Sequence, residues 1–221
     1  MKDKAIVLLS GGLDSTTTLY LAKKKYKCLC LIVDYGQRHK KEIRLAKKVS
    51  EKAKCDFRII KVMLPWGCSS LIDKSKKIPY HRSANIGKRI PSTYVPGRNT
   101  VFLSYALSFA ESIKAKKIFI GANSLDYSGY PDCRPEYFDS LNKVFKVGTI
   151  NRNIRIEAPL IYKTKKEIVE LGIKYKVPFG LTWSCYSGGK HPCGKCDSCL
   201  LRAKGFKEAK EKDPIYDRQN F

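Results

Sequence analysis

Five short apolar runs alternate along the chain with longer segments of helical period. Ala5 to Leu9, Cys28 to Val33, Phe57 to Val62, Lys117 to Ile120 and Ile154 to Glu157 read as strands, because aliphatic runs of this length between turn residues suit buried sheet. Ser15 to Lys25, Lys40 to Ala53, Thr100 to Ile113, Glu136 to Val147 and Thr164 to Lys176 read as helices. This β-α order predicts an α/β fold, a doubly wound parallel sheet with right-handed crossovers and ligands gathering at the carboxyl ends of the strands. Pro96-Gly97-Arg98-Asn99 predicts a turn with Asn99 as N-cap of the third helix, and an arginine beside a helix N-terminus suits phosphate. Met63 to Val95 shows no period and several prolines and glycines; a connection that long reads as a lid over a ligand. No repeat, low-complexity tract or linker interrupts the pattern.

The first strand stops at Ser10-Gly11-Gly12-Leu13-Asp14-Ser15-Thr16. A strand, a glycine turn and a helix start aim unpaired backbone N–H groups and the positive end of a helix dipole at one volume, which makes an anion site. No lysine follows the glycines and the three-glycine dinucleotide spacing is absent, so the two commonest phosphate motifs are excluded. After the fourth strand, Gly121 to Glu136 carries tyrosines, aspartates and prolines with little aliphatic content. Tyr127 and Tyr130 suit stacking on a planar ring, Asp126 and Asp132 suit acceptance from ring N–H groups, and Arg134 suits a carboxylate. Those are the needs of a purine-like acid.

Four of the nine cysteines crowd into Cys185-x7-Cys193-x2-Cys196-x2-Cys199, with Gly188, Gly189, Pro192 and Gly194 between them. That spacing lets four thiolates converge; zinc in a closed structural shell is the first reading, with an iron–sulfur cluster as the alternative and His191 as a spare ligand. The remaining cysteines carry no metal signal, Cys28 and Cys30 reading as small core residues. No pairing by spacing makes a Cys–His nucleophile with His39 or His81.

At 221 residues and 43% hydrophobic, the chain supports one sizeable core with a small appendage. We expect a body at residues 1–182 and a zinc-binding segment at 183–221 packed on it. The opening apolar run is too short for a secretory signal and no eighteen apolar residues follow one another, so a cytoplasmic protein without a membrane span is expected. The formal net charge of +24 is the outlier. Roughly three lysines accompany each arginine, and they scatter over helices as at Lys40, Lys41, Lys47, Lys48, Lys114, Lys116 and Lys117, which is weak support for a nucleic-acid face.

Ser10 to Ser15 resembles the PP-loop, Ser-Gly-Gly-x-Asp-Ser, of the ATP pyrophosphatase superfamily. Together with Asp-Tyr-Gly-Gln-Arg-His at 34–39, Val-Pro-Gly-Arg-Asn at 95–99, the segment Asp126 to Glu136, Pro-Leu-Ile at 159–161 and the cysteine block through Arg202, the chain is similar nearly end to end to the 7-cyano-7-deazaguanine synthase family. The resemblance implies an adenine nucleotide alpha hydrolase-like fold. It also implies an ATP-dependent ligase that converts 7-carboxy-7-deazaguanine and ammonia to the nitrile in the queuosine and archaeosine pathways, adenylating first the carboxylate and then the amide. It places Leu9, Ser10, Gly11, Gly12, Leu13, Asp14, Ser15, Thr16, Thr17, Thr18 and Leu19 at ATP, with Mg²⁺ beside the phosphates. Asp14, Arg98 and one of Lys163 and Lys165 become the catalytic candidates, Lys165 foremost. Asp126, Tyr127, Tyr130, Asp132 and Arg134 become the substrate set. Cys185, Cys193, Cys196 and Cys199 become the ligands of one structural zinc. No stretch is left for a glutaminase, so free ammonia is the expected nitrogen source, and family members suggest a homodimer.

Two other readings keep part of this pattern. A tRNA-modifying PP-loop enzyme transferring sulfur or lysine would use the positive charge, but neither a separate tRNA-binding region nor a catalytic cysteine pair is visible. A zinc-ribbon nucleic-acid module would leave the phosphate loop without a purpose.

Overall fold

Side chains Ala5 to Leu8 are all buried, and they alternate between two cores. They belong to β1 (Lys4–Leu8), the middle of a five-stranded, all-parallel sheet whose order is β3-β2-β1-β4-β5. The others are β2 (Lys27–Asp34), β3 (Asp56–Lys61), β4 (Lys117–Phe119) and β5 (Arg155–Glu157). The computed structural model describes residues 2–80, 90–125 and 130–216. Register runs Val7 against Cys30 on one side and Phe119 on the other. A central parallel strand has both faces covered, which is why its sequence is a continuous apolar run instead of an alternation.

The helices are α1 (Leu13–Lys25), α2 (Lys41–Ala53), α3 (Arg98–Ser112), α4 (Pro135–Gly148), α5 (Lys165–Lys174) and α6 (Asp197–Glu208). Ala5, Val7 and Cys30 join Leu19 of α1, Val49 of α2, Ile168 of α5 and Phe206 of α6 in one core; Ile6, Leu8 and Ile118 join Leu103 of α3 and Phe138 of α4 in the other. Helices on both faces of a parallel sheet with this strand order are the doubly wound arrangement expected. Each fully buried aliphatic side chain contributes about 1.5–3 kcal/mol. Helix α1 is buried over most of its surface as far as Ala22, Thr16, Thr17 and Thr18 included, because α2 and α5 flank it, and its last turn of lysines reaches solvent. Among the described residues no helix is long and apolar enough to cross a membrane.

Three local expectations differ. Asn99 is not the cap of α3: Gly97, in the left-handed region at φ 63°, takes that place, and Asn99 lies inside the helix. A tertiary partner outcompetes capping there, since Asn99 Nδ2 donates to the Asp132 carbonyl at 3.0 Å and its backbone N–H donates to Asp132 Oδ2 at 3.2 Å. The described parts of the Met63 to Val95 stretch are tied down: Leu64, Leu71 and Val95 pack with Tyr35, and Arg38 donates to the carbonyls of Lys74 and Lys76 at 2.8 Å each. Residues 81–89, including His81, lie outside the described residues. Helix α6 has no counterpart in the sequence pattern.

Candidate active site at the carboxyl ends of the central strands

Strand order reverses between β1 and β4, so the crevice at their carboxyl ends is the topological switch point where doubly wound sheets bind ligands. The Ser10 to Thr16 loop leaves β1 there. Ser10 backbone N–H and hydroxyl both meet Ser15 Oγ, at 3.2 and 2.9 Å, and Gly12 N–H donates to Ser10 Oγ at 3.3 Å. Gly11 sits at φ 79°, and a Cβ on it would lie 2.7 Å from the Glu42 carbonyl oxygen and 2.8 Å from the Ala46 nitrogen. The glycine is required both by its left-handed backbone and by the closeness of α2. From the other side, Gly121 follows β4, and a Cβ there would lie 2.7 Å from Ser15 N.

Above the loop opens a cavity of about 260 Å³. Of the expected ATP residues, Leu9, Ser10, Gly12, Leu13, Asp14 and Ser15 line it; Gly11 supports it from behind, and Thr16, Thr17, Thr18 and Leu19 are buried in α1 instead. Lys165 enters from the first turn of α5, which a Thr164–Glu167 capping box fixes. Its Nζ donates to both Asp14 carboxylate oxygens at 2.9 Å. Gly205 of α6 clears the way, since a Cβ there would lie 2.4 Å from Lys165 Cγ. Lys163 turns outward and pairs with Glu167 at 3.0 Å. Arg98, in the first turn of α3, lines the cavity beside Tyr35, whose hydroxyl accepts from its Nη1 at 3.4 Å.

The expected substrate residues are dispersed. Tyr130 lines the cavity, its hydroxyl 2.8 Å from Thr93 Oγ1 and its ring 5.6 Å from that of Tyr94. Asp132 is buried behind it on Asn99, and burial raises its pKa against the pull of Arg98. Arg134 is exposed at the N-cap of α4. Asp126 and Tyr127 lie outside the described residues. Sequence reasoning missed several wall residues: Tyr35, Gln37 and His39 after β2, Glu42 of α2, and Trp183 and Tyr186 before the cysteine block. Their signal was position, since 34–39 follows a predicted strand end.

Cys185, Cys193, Cys196 and Cys199 place all four sulfurs within 4.8 Å of one another. Tetrahedral zinc at about 2.3 Å from each sulfur sets sulfur–sulfur distances of about 3.8 Å, and Cys193 Sγ lies 4.0 Å from Cys199 Sγ. Backbone N–H groups of Cys193 and Cys196 point at Cys185 Sγ and Cys193 Sγ, 3.3 Å each, as thiolate ligands need. The donor set therefore fits a four-coordinate metal ion. Trp183 joins this cluster to the loop: its N–H donates to the Gly11 carbonyl at 2.9 Å, its indole to the Cys185 carbonyl at 2.8 Å, and Lys41 Nζ sits 3.4 Å from its ring centre. Lys41 is thus a tether, donating also to the Gly189 and Lys190 carbonyls, and not one more solvated lysine.

Sheet order, glycine loop and facing cations define a nucleotide-binding α/β protein of the PP-loop class. A family model described as Queuosine biosynthesis protein QueC matches residues 4–210, and the chain belongs to that family. It is 51% identical over 216 residues to 7-cyano-7-deazaguanine synthase of Picrophilus torridus, covering 96% of this chain and 90% of that protein. It is 50% identical over 220 residues to the Clostridium kluyveri synthase, with 96% of each covered. NMN synthetase from Francisella tularensis superposes with a TM-score of 0.51 at 14% identity, covering 98% of this chain and 82% of that one, a likeness of fold.

Proposed function

We propose that the chain is an ATP-dependent ligase that turns 7-carboxy-7-deazaguanine and ammonia into the nitrile 7-cyano-7-deazaguanine. The observation that carries this reading is the convergence, on one cavity, of the glycine loop with Asp14, Lys165, Arg98 and the ring of Tyr130. A carboxylate is a poor electrophile until one oxygen becomes a leaving group, and adenylation supplies one. The N–H groups at the start of α1 hold the pyrophosphate end of ATP, while Lys165 and Arg98 stabilise charge gathering at the α-phosphorus. Asp14 holds the Lys165 ammonium in the cavity and would be the carboxylate that, with the substrate phosphates, holds Mg²⁺, which would supply charge neutralisation at the phosphates. Ammonia displaces AMP to give the amide, and activation of the amide oxygen by a second ATP permits dehydration.

Asp126, Tyr127, Tyr130, Asp132 and Arg134 form the substrate-recognition segment in this reading. The cysteines hold one structural zinc, and the segment Trp183 to Tyr216 braces the body before it through Trp183. The active form is a cytoplasmic homodimer.

Incubation with ATP, Mg²⁺, ammonia and the deazaguanine acid tests the reading: nitrile, AMP and pyrophosphate are expected. ADP with phosphate would overturn adenylation. Asp14→Ala is expected to abolish AMP formation while elemental analysis still finds one zinc per chain; iron in its place would overturn the zinc assignment.

A further inference from the structure

Both Asp14 and Glu42 line the cavity, but their surroundings differ. Asp14 is bound to Lys165 through both oxygens. The Glu42 carboxylate, on the first turn of α2, takes no hydrogen bond or ion pair at contact distance among the described residues. Burial raises its pKa to about 7, against the pull of Arg98 across the cavity. A carboxylate held in a semi-enclosed wall without a protein partner is costly. Its position is also fixed, because its own backbone carbonyl abuts Gly11 of the phosphate loop.

The proposed reaction has an unfilled role that matches. Ammonia is mostly ammonium at neutral pH, and ammonium has no lone pair with which to attack. Lys165 and Arg98 are cations, and neither suits the binding of another. We infer that Glu42 docks ammonium in the cavity and takes one of its protons, releasing ammonia beside the acyl adenylate. The nitrogen lone pair then forms the C–N bond, the C–O bond to AMP breaks with its electrons leaving on AMP, and the adduct loses its second surplus proton to water. Glu42 returns its own proton to solvent; no oxidation occurs. This inference rests on the adenylation reading above.

Glu42→Gln keeps the shape and removes the base. Amide formation from ammonium at neutral pH is expected to fall roughly 10²-fold, the ordinary loss when one general base is removed. Pyrophosphate release from ATP and the acid without any nitrogen source should stay near the wild-type rate, which also reports that the variant is folded. Hydroxylamine, already neutral at that pH, should give hydroxamate at close to the wild-type rate. The inference is overturned if the variant uses ammonium as well as the wild type, if hydroxylamine and ammonium suffer equally, or if adenylation is lost as well. Failure of the wild-type protein to adenylate the acid would overturn the reading beneath it.

Discussion

Lys165 Nζ donates to both carboxylate oxygens of Asp14, 2.9 Å each, across 151 positions of sequence. The pair joins the first turn of α1 to the first turn of α5, the two helix starts that flank the phosphate loop. Two residues away Lys163 points outward to Glu167. One helical start therefore sorts two nearly adjacent lysines into a cavity cation and a surface cation.

That sorting predicts unequal variants. Lys165→Ala should lower adenylation about 10²- to 10³-fold, the loss seen when a preorganised charge stabiliser is removed. Lys163→Ala removes only a solvent-screened surface ion pair and should leave turnover near wild type. Pyrophosphate release by each purified variant checks this, and comparable losses would show that both lysines serve the nucleotide.

Why the sequence reads well in some places and poorly in others has a physical cause at each residue. Strands β1, β2 and β4 emerge from apolar runs because the middle of the sheet is covered on both faces, whereas β3 at the edge keeps Arg58 and Lys61 exposed and shows only Phe57, Ile59 and Ile60 as its apolar signal. Helix α6 escapes notice because its buried face carries Arg202 and Gly205 beside Leu201 and Phe206: the arginine is neutralised by Asp213 and the glycine makes room for Lys165. Neither fact is local, so the apolar period is broken. Asn99 has the composition of a cap and is claimed by Asp132, thirty-three positions away. Glu42 looks like an ordinary acid complementing the dipole of a lysine-rich helix; only the fold shows that it faces the cavity.

Gly11 and Gly12 should behave differently although they are neighbours. A Cβ at Gly11 meets backbone atoms of α2 at 2.7 and 2.8 Å and the residue sits at φ 79°, whereas at Gly12 the nearest contact is the Ser10 hydroxyl at 3.3 Å. Gly11→Ala is expected to cost on the order of 2 kcal/mol or more in strain and displacement of α2. Gly12→Ala should fold with a near-normal melting temperature. Thermal melts of both read the difference; equal destabilisation would mean that the approach of α2 does not limit Gly11.

Arg202, a buried residue, pairs with the largely enclosed Asp213 carboxylate, Nε to Oδ2 at 2.6 Å and Nη2 to Oδ1 at 2.8 Å. Arg202 also donates to Thr182 Oγ1 at 2.7 Å and to the Phe179 carbonyl at 3.3 Å, and Trp183, next in the chain, donates to Gly11. Asp213→Ala leaves a buried guanidinium short of its counter-charge and should cost about 3–5 kcal/mol in urea unfolding. The double variant Arg202→Met, Asp213→Leu should regain much of that, because it removes the charge and keeps the volume. A double variant as unstable as the single one would show that the hydrogen bonds to Thr182 and Phe179 dominate.

Glu42 carries a consequence for stability as well as for chemistry. Its folded pKa is raised from 4.5 to about 7, chiefly by burial. Between those values the folded chain binds more protons at this site than the unfolded chain, so stability falls as pH rises through that window. Below the unfolded pKa both states are protonated and the penalty vanishes. Glu42→Gln removes the titration, so the difference in melting temperature, variant minus wild type, should grow from about pH 5 to about pH 8, the variant being the more stable at the upper end. Melts across that range measure it. A difference that stays flat would mean that the cavity solvates the carboxylate as water does, and the loss of ammonium use in the same variant would then need another cause than a poised base. A growing difference alongside that loss would show stability given up at the residue the chemistry needs.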